Sequence, residues 1–332
     1  MSSLSNRKDI YSDRILAILK NSLGEKINRY FDDEDITEIM LNDDKTVWVD
    51  SLTKGMFDTG IVLENIEAFK IINTVATFEE AQLDKENATM SAELPDSGFR
   101  FEAVIPPNVD NPIFNIRKKS IRIFTLEDYV NMGSITEFQK NYIEQAILDH
   151  KNILIVGGTG SGKTTFANAC IGAIPQTERL VILEDTKEIR SLCPNKVSLK
   201  TSIYTSMERL FYSTMRLRPD RIIVGEIRGA TSLDLLTAWN SGHSGGFSTI
   251  HSDSTEGGLE QLEQYNQRKS VDKQQKLIAK TVNLVVVLKR IGGERKVVEI
   301  KEVLGVTKDG EYITREVKDT KEEVKEWKKQ RI

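Results

Sequence analysis

A strand, a glycine-rich turn and a helix follow one another in the stretch "ILIVGGTGSGKTTFANA", from Ile153 to Ala169. Residues 157–164 fit the pattern G-x-x-x-x-G-K-[ST], and the apolar run before them and the helix-forming residues after them supply the context that this pattern requires. Glycines let backbone N–H groups surround an anion, and the helix N-terminus adds partial positive charge. The stretch therefore predicts a phosphate-binding loop in an α/β domain, a feature that by itself specifies no reaction.

The loop supplies most of the predicted nucleotide contacts. Lys163 is expected to reach the β- and γ-phosphates of ATP, and the Thr164 hydroxyl is expected to bind Mg²⁺. The predicted nucleotide-binding residues of the loop are Gly157, Gly158, Thr159, Gly160, Ser161, Gly162, Lys163, Thr164 and Thr165.

Short apolar strands alternate with helices after residue 136, as in "RLVILE", "RIIVG" and "FSTIH". Continuous apolar strands separated by helices are typical of a parallel sheet covered on both faces. The apolar runs on either side of Gly292 and Gly293 predict a closing hairpin. Thr205 and Thr231 stand at capping-box spacing before two of the helices. Residues 316–332 are expected to form a solvated helix or to be partly disordered.

The first part of the chain mixes helix-like and strand-like segments, which predicts a small α+β domain. The pattern loosens at Gly133 and Ser134, and Thr136 can cap the helix that follows. We therefore predict an N-terminal α+β domain over residues 1–133 and an α/β P-loop domain over 134–332.

Acidic residues follow two of the predicted strands, at the sheet edge where open α/β sheets bind ligands. Glu226 ends "RIIVGE" in a position similar to that of the glutamate that polarises the attacking water in RecA-like ATPases, which makes it the candidate general base, although it could instead cap the next segment. Glu184, Asp185 and Glu188 follow "LVILE" and could contact the nucleotide, with Glu184 binding Mg²⁺ directly or through water, or they could form a solvated acidic turn. His251 is the candidate sensor of the γ-phosphate, whereas an isolated histidine is more often a packed or surface residue.

Charge and hydropathy disfavour a nucleic-acid-binding protein, a membrane-spanning protein and a secreted protein. Residues 1–136 carry 15 basic and 24 acidic side chains and residues 137–332 carry 31 and 26, so the net charges are -9 and +5. An acidic first part disfavours a nucleic-acid backbone as the main ligand, and no sequence-specific nucleic-acid binding is expected. The apolar runs are too short to span a bilayer, and the N-terminus does not resemble a secretory signal, which predicts a cytoplasmic protein.

Four motifs in this order resemble those of the secretion ATPases of type II and type IV systems. "GGTGSGKTT" is similar to their Walker A loop, "ILEDTKEI" to their Asp box, "LRPDRIIVGEIRG" to their Walker B segment and "GHSGGFSTIH" to their His box. The sequence more closely resembles the VirB-type and TrbB-type ATPases of conjugation and type IV secretion. It departs from the family pattern at Ser244, where that branch commonly has Pro, and at "HSDS", where "HANS" is frequent.

The resemblance implies a RecA-like ATPase domain, a homo-hexamer and a position at the inner face of the cytoplasmic membrane, with other components of a secretion or conjugation complex as partners. It also implies that arginines of the N-terminal domain approach the γ-phosphate, and Arg100 and Arg117 match that pattern. From the residues alone, a solvated strand edge is the favoured interpretation of Arg117, Lys118, Lys119 and Arg122.

The leading hypothesis is an Mg²⁺-dependent ATPase whose hydrolysis drives domain motion for pilus assembly or substrate transfer. The alternatives are a motor of the type IV pilus or type II secretion kind, a RecA-like enzyme that itself translocates DNA, and a scaffold in which ATP only locks a ring for partner binding.

Overall fold

The computed structural model describes residues 2–79, 81–94, 97–118, 123–202, 204–270, 272 and 274–318, and of residues 2–16 it describes the backbone alone. The chain divides into two compact units, Met1–Arg122 and Ile123–Ile332. Each unit has its own buried apolar core. Most of the C-terminal segment expected to be helical or disordered, residues 319–332, lies outside the described residues.

The first unit begins with a long helix that changes direction at Gly24, whose φ of 71° lies outside the helical range. The described elements of the unit are α1 (Ser2–Asp32), β1 (Ile36–Leu41), β2 (Thr46–Ser51), β3 (Gly55–Val62), α2 (Asn65–Phe78), β4 (Thr89–Glu93), β5 (Arg100–Val104) and β6 (Ile113–Arg117).

The strands of the first unit form an antiparallel sheet in the order β3-β2-β1-β6-β5-β4. Ile116 of β6 stands between Ile39 of β1 and Phe101 of β5, and all three are fully buried. Ile27 of α1 and Ile71 of α2 belong to the same core, so the helices cover this face. Because side chains alternate along a strand, the intervening residues lie on the opposite face of the sheet.

The second unit contains the predicted alternation of strands and helices. Its described elements are α3 (Leu126–Asn131), α4 (Glu137–Leu148), β7 (Ile153–Gly157), α5 (Lys163–Gly172), β8 (Leu180–Glu184), β9 (Lys196–Lys200), α6 (Met207–Thr214), β10 (Arg221–Val224), α7 (Thr231–Asn240), β11 (Phe247–Ile250), α8 (Thr255–Asn266), α9 (Gln275–Thr281), β12 (Leu284–Ile291), β13 (Glu294–Val306) and β14 (Tyr312–Glu316).

The sheet of the second unit has the strand order β14-β13-β12-β7-β11-β10-β8-β9. The strands from β12 to β9 in this order run parallel, whereas β13 and β14 are antiparallel additions at one edge. Strands β7, β8, β10 and β11 are buried along their whole length, as expected for a sheet covered on both faces. The predicted α/β class, with a smaller α+β unit before it, is confirmed, and so is the hairpin at Gly292 and Gly293.

Of the three helix caps predicted from the sequence, one is present and two are at other residues. Thr136 caps α4 in a reciprocal capping box with Gln139, as predicted. The cap of α6 is Ser206 rather than Thr205, because the Ser206 hydroxyl is the one that accepts a backbone N–H of the first turn. Thr231 does not cap α7 either. It is the first helical residue, and its hydroxyl donates to a carbonyl of the preceding turn.

The division between the units falls after residue 122, eleven residues before the boundary predicted from the sequence. Helix α3 accounts for the difference. Leu126 and Tyr129 are buried in the second unit, and the Tyr129 ring packs edge-on against Phe166 of α5 with 5.0 Å between ring centroids. Helix α3 therefore packs against α5, the helix that follows the glycine-rich loop.

Asn152 fixes the start of β7 relative to two neighbouring segments. Its Nδ2 donates to the carbonyl of Thr281 at 2.8 Å, and its Oδ1 accepts the N–H groups of Gly245 and Gly246 at 2.8 and 3.0 Å. A Cβ on Gly246 would lie 2.1 Å from Nε1 of Trp239, so only glycine fits there. These contacts set the position of β11 beside β7.

Candidate active site

The glycine-rich loop connects the buried strand β7 to helix α5. Gly160 and Gly162 have φ values of 71° and 88°, in the left-handed region that glycine adopts at little cost. A Cβ on Gly157 would lie 2.6 Å from the backbone oxygen of Leu288 in the adjacent strand β12, so a side chain is excluded there too. Thr164 and Thr165 lie in the first turn of α5, whose N-terminus faces the loop. The local backbone thus has the form of an anion-binding turn.

Lys163 is buried, and its ammonium group lies inside the turn. The ammonium donates to the carbonyls of Gly157 and Gly158 at 2.7 and 2.8 Å. It also lies 3.3 Å from Nδ1 of His251. An anion bound by the loop N–H groups would therefore meet a positive charge held by the loop itself.

His251 links Lys163 to Glu226. Its Nε2 lies 3.5 Å from a carboxylate oxygen of Glu226, on the opposite side of the ring from the nitrogen that faces Lys163. A neutral imidazole with its proton on Nε2 would accept from Lys163 and donate toward Glu226. The three residues follow β7, β11 and β10, which are neighbours in the sheet, so the parallel topology brings their carboxyl ends together.

The Glu226 carboxylate forms a bidentate ion pair with Arg228. The guanidinium Nε and a terminal nitrogen of Arg228 donate to the two carboxylate oxygens at 2.7 and 2.8 Å. Partial burial raises the pKa of Glu226, but the hydrogen bonds to Arg228 and the positive charges of Arg228 and Lys163 outweigh burial and hold that pKa below its usual value. Glu226 therefore stays ionised at neutral pH, and it does not cap α7, which begins after Ala230.

Glu184 lies at the end of β8, packed against the backbone of Gly225. A Cβ on Gly225 would be 3.1 Å from Cγ of Glu184. One carboxylate oxygen of Glu184 accepts the N–H groups of Glu188 and Ile189, both at 2.7 Å. The other oxygen is buried and has no hydrogen-bond partner among the described residues. Burial raises the pKa of Glu184, and only part of that effect is offset by its backbone hydrogen bonds.

The other two acids of the predicted Asp box have different surroundings. Asp185 is exposed and accepts the hydroxyl of Thr201 at 3.0 Å. The backbone of Glu188 is held by Glu184 and by Asn168 of α5, whose Nδ2 donates to the Glu188 carbonyl at 3.2 Å. The acidic turn is therefore tied to the helix that begins at the phosphate loop, whereas direct contact of its acids with a nucleotide stays a prediction.

The structure also pairs the two predicted arginines of the first unit. Arg100 of β5 and Arg117 of β6 are cross-strand partners in register. They alternate with the buried residues Phe101 and Ile116, which places them on the face of the sheet opposite the core. Nε of Arg117 lies 3.7 Å from a carboxylate oxygen of Glu38. Their approach to a nucleotide stays a prediction.

The residues that sequence reasoning missed are Arg228, Asn168 and Arg295. Arg228 had a weak signal, because it stands two positions after the candidate base. Asn168 had a clearer one, since it is a polar residue within the buried stretch of α5, and its Oδ1 accepts the N–H of Arg190 at 2.9 Å. Arg295 had none, because it reaches the loop from the β12–β13 hairpin, with its Nε donating to the carbonyl of Gly160 at 3.2 Å.

A parallel α/β sheet with this loop and these strand-end side chains defines a P-loop nucleotide-binding protein. Comparison with known sequences is more specific, because residues 24–322 match the model of the family described as "Type II/IV secretion system protein". The chain belongs to this family, and the predicted resemblance to the secretion ATPase superfamily is confirmed.

Individual relatives agree with the family. The chain is 44% identical over 295 residues to the conjugal transfer protein TrbB of Rhizobium radiobacter, covering 88% of this chain and 91% of that protein. It is 30% identical over 336 aligned positions to the type IV secretion system protein VirB11 of Bartonella henselae, covering 87% and 94% of the two chains. Its fold is similar to that of the Legionella pneumophila ATPase DotB, with a TM-score of 0.59 at 16% identity over 92% of this chain and 82% of the other.

No helix within the described residues is long and apolar enough to cross a membrane.

Proposed function

We propose that this protein is the Mg²⁺-dependent ATPase of a conjugal transfer or type IV secretion system, and that hydrolysis drives a motion of its two units for pilus assembly or substrate transfer. One observation carries the chemical part of the proposal: Lys163, His251 and Glu226 form a connected set beside the glycine-rich loop, with contacts of 3.3 and 3.5 Å. Membership of the secretion family, together with relatives named for conjugal transfer and type IV secretion, supports the biological part.

Each residue of the set has a distinct part in the proposed reaction. The loop N–H groups and Lys163 bind the phosphate chain and stabilise the charge that develops on it. Glu226 orients the attacking water and accepts its proton, a function for which an ionised carboxylate is required. His251, in contact with both Lys163 and Glu226, responds to the presence of the γ-phosphate. The rate then depends on how well the phosphate chain orders these three side chains.

The residues at the sheet edge fit a magnesium ion. One buried oxygen of Glu184 has no hydrogen-bond partner in the part of the chain that the structure describes, and a cation or a water molecule would satisfy it. The same burial raises the pKa of the Glu184 carboxyl. The Thr164 hydroxyl in the first turn of α5 is the second oxygen that we assign to the ion. Bound magnesium would neutralise charge on the phosphates during hydrolysis.

We assign Arg100 and Arg117 to the γ-phosphate, which would make nucleotide binding depend on the first unit. The support is their cross-strand pairing, which concentrates two positive charges at one place on a sheet face. By analogy with the family, we propose that the protein acts as a homo-hexamer at the cytoplasmic face of the inner membrane, in contact with other components of the secretion complex.

The replacement of Lys163 by Ala tests the proposal. We expect the Lys163→Ala protein to lose ATP hydrolysis, and the strain that carries it to lose plasmid transfer, because a buried ammonium at the phosphate loop is removed. Lys276→Ala, at an exposed position of α9, is the matched control and should leave both activities unchanged. Normal turnover by Lys163→Ala would contradict the assigned site, and normal transfer without turnover would contradict the coupling of hydrolysis to transfer.

A further inference from the structure

The β12–β13 hairpin lies beside the strand that leads into the phosphate loop. Leu288 of β12 is the parallel partner of Gly157, so the three remaining residues of β12 extend past the point where β7 ends. The chain then turns through Gly292 and Gly293, and Arg295 follows in β13. The tip of the hairpin is thereby carried alongside the glycine-rich turn.

Arg295 makes two kinds of contact with that turn. Its aliphatic stem covers Gly162, where a Cβ would lie only 2.9 Å from Cδ of Arg295. Its guanidinium Nε donates to the carbonyl of Gly160 at 3.2 Å. The apolar stem of Arg295 therefore contacts Gly162 and its charged end contacts Gly160, the two glycines of the loop with left-handed φ values.

The contact with Gly160 fixes the direction of one peptide group in the loop. In a trans peptide the carbonyl of one residue and the N–H of the next point in opposite directions. With the Gly160 carbonyl turned toward Arg295, the N–H of Ser161 points to the inner side of the turn, where it donates to the carbonyl of Gly158 with 3.4 Å between nitrogen and oxygen. Inward N–H groups are what an anion-binding turn requires, and a glycine-rich segment lacks side chains of its own to keep them so oriented.

We propose that Arg295 is a positioning residue that holds the glycine-rich loop in its phosphate-binding form, so that the affinity for the polyphosphate chain of a nucleoside triphosphate depends on the β12–β13 hairpin. The inference rests on the proposed function, since it concerns the same phosphate site. It adds that the loop is preorganised by a side chain from outside the four family motifs.

The Arg295→Gln variant tests this inference. Loss of one hydrogen bond from a charged donor is expected to raise the KM and the Kd for ATP about tenfold. The kcat should change less than about threefold, because loop shape affects ground state and transition state alike. Lys289→Gln removes the same charge from an exposed position of the same hairpin and should leave KM, Kd and kcat unchanged. Arg295→Lys, which keeps a donor, should recover part of the affinity.

A second readout is amide hydrogen exchange over residues 158–164 without nucleotide, which should be faster in Arg295→Gln than in Lys289→Gln. The inference is overturned if Arg295→Gln has the wild-type KM for ATP and the wild-type rate of amide exchange in the loop. It is also overturned if the substitution lowers only the thermal stability or only the kcat. A different result would contradict the proposed function, namely a wild-type protein that neither binds nor hydrolyses ATP.

Discussion

Glu226 is held by Arg228 at 2.7 and 2.8 Å, and Arg228 itself lies near the acids of the turn after β8. The ion pair keeps the carboxylate ionised, but a carboxylate with a lowered pKa is also a weaker base. Arg228 therefore sets the pH range over which Glu226 can accept a proton. Among the neighbouring residues, this arginine lowers the pKa of Glu226 the most.

We expect Arg228→Gln to move the acid limb of the ATPase pH profile to higher pH. Removal of the guanidinium leaves the effect of burial, which raises the pKa of Glu226, so the carboxylate becomes protonated at a pH where the wild-type carboxylate is still ionised. The measurement is kcat/KM for ATP as a function of pH. Arg209→Gln, at an exposed position of α6, is the control. An unchanged acid limb in Arg228→Gln would show that Glu226 does not govern the profile.

The turn before β11 illustrates how an element positions the site. Gly246 packs against Trp239, whose indole N–H donates to the carbonyl of Ile222 at 3.0 Å, and Asn152 accepts two N–H groups of the same turn. This packing determines where β11 ends and hence where His251 lies. The glycines of the His box thus have a structural function in addition to the catalytic one proposed for its histidine.

We expect Gly246→Ala to lower the free energy of unfolding of the second unit by about 3 kcal/mol, because the new Cβ overlaps Trp239 and the Ile222 carbonyl. Gly172→Ala is a matched control at the end of α5, where a Cβ meets no atom within 4 Å. It should be neutral or stabilising by less than about 1 kcal/mol. Urea unfolding of the two variants compares them, and equal midpoints would contradict the packing argument.

Strands β7, β8, β10 and β11 could be predicted because burial on both faces makes them continuous apolar runs. The edge strand β9 alternates exposed and half-buried residues in five positions, a weaker pattern. The sequence predicts the cap of α6 one residue too early. Thr205 and Ser206 are both residue types that cap helices, and only the backbone conformation shows which of them accepts the N–H of the first turn.

The site follows the same physical logic. Lys163, Glu226 and His251 could be predicted since each follows a strand whose carboxyl end lies at the ligand edge. Arg295 could not, because its place beside Gly162 depends on the register of β12 against β7, which no local pattern encodes. Sequence reasoning therefore found the groups fixed by topology and missed Arg295, whose position is fixed by strand register.

At the scale of the whole molecule, the arginines that we assign to the γ-phosphate belong to the first unit, and the glycine-rich loop belongs to the second. We expect Arg117→Gln to reduce kcat for ATP about a thousandfold, as removal of an arginine that stabilises transition-state charge does in other phosphoryl-transfer enzymes. The affinity for ADP, which lacks the γ-phosphate, should stay within a factor of about two. Lys54→Gln, at an exposed turn of the first unit, is the control. Wild-type kcat in both Arg100→Gln and Arg117→Gln would contradict the contribution of the first unit.

ATP turnover by Glu226→Gln, measured with ATP affinity on the same preparation, tests whether Glu226 is the general base of an ATPase. We expect this variant to bind ATP within about threefold of the wild-type affinity, because the loop and Lys163 are intact. Its hydrolysis should be at least about a hundredfold slower, since the carboxylate that accepts the proton is gone. Turnover at the wild-type rate would contradict the account.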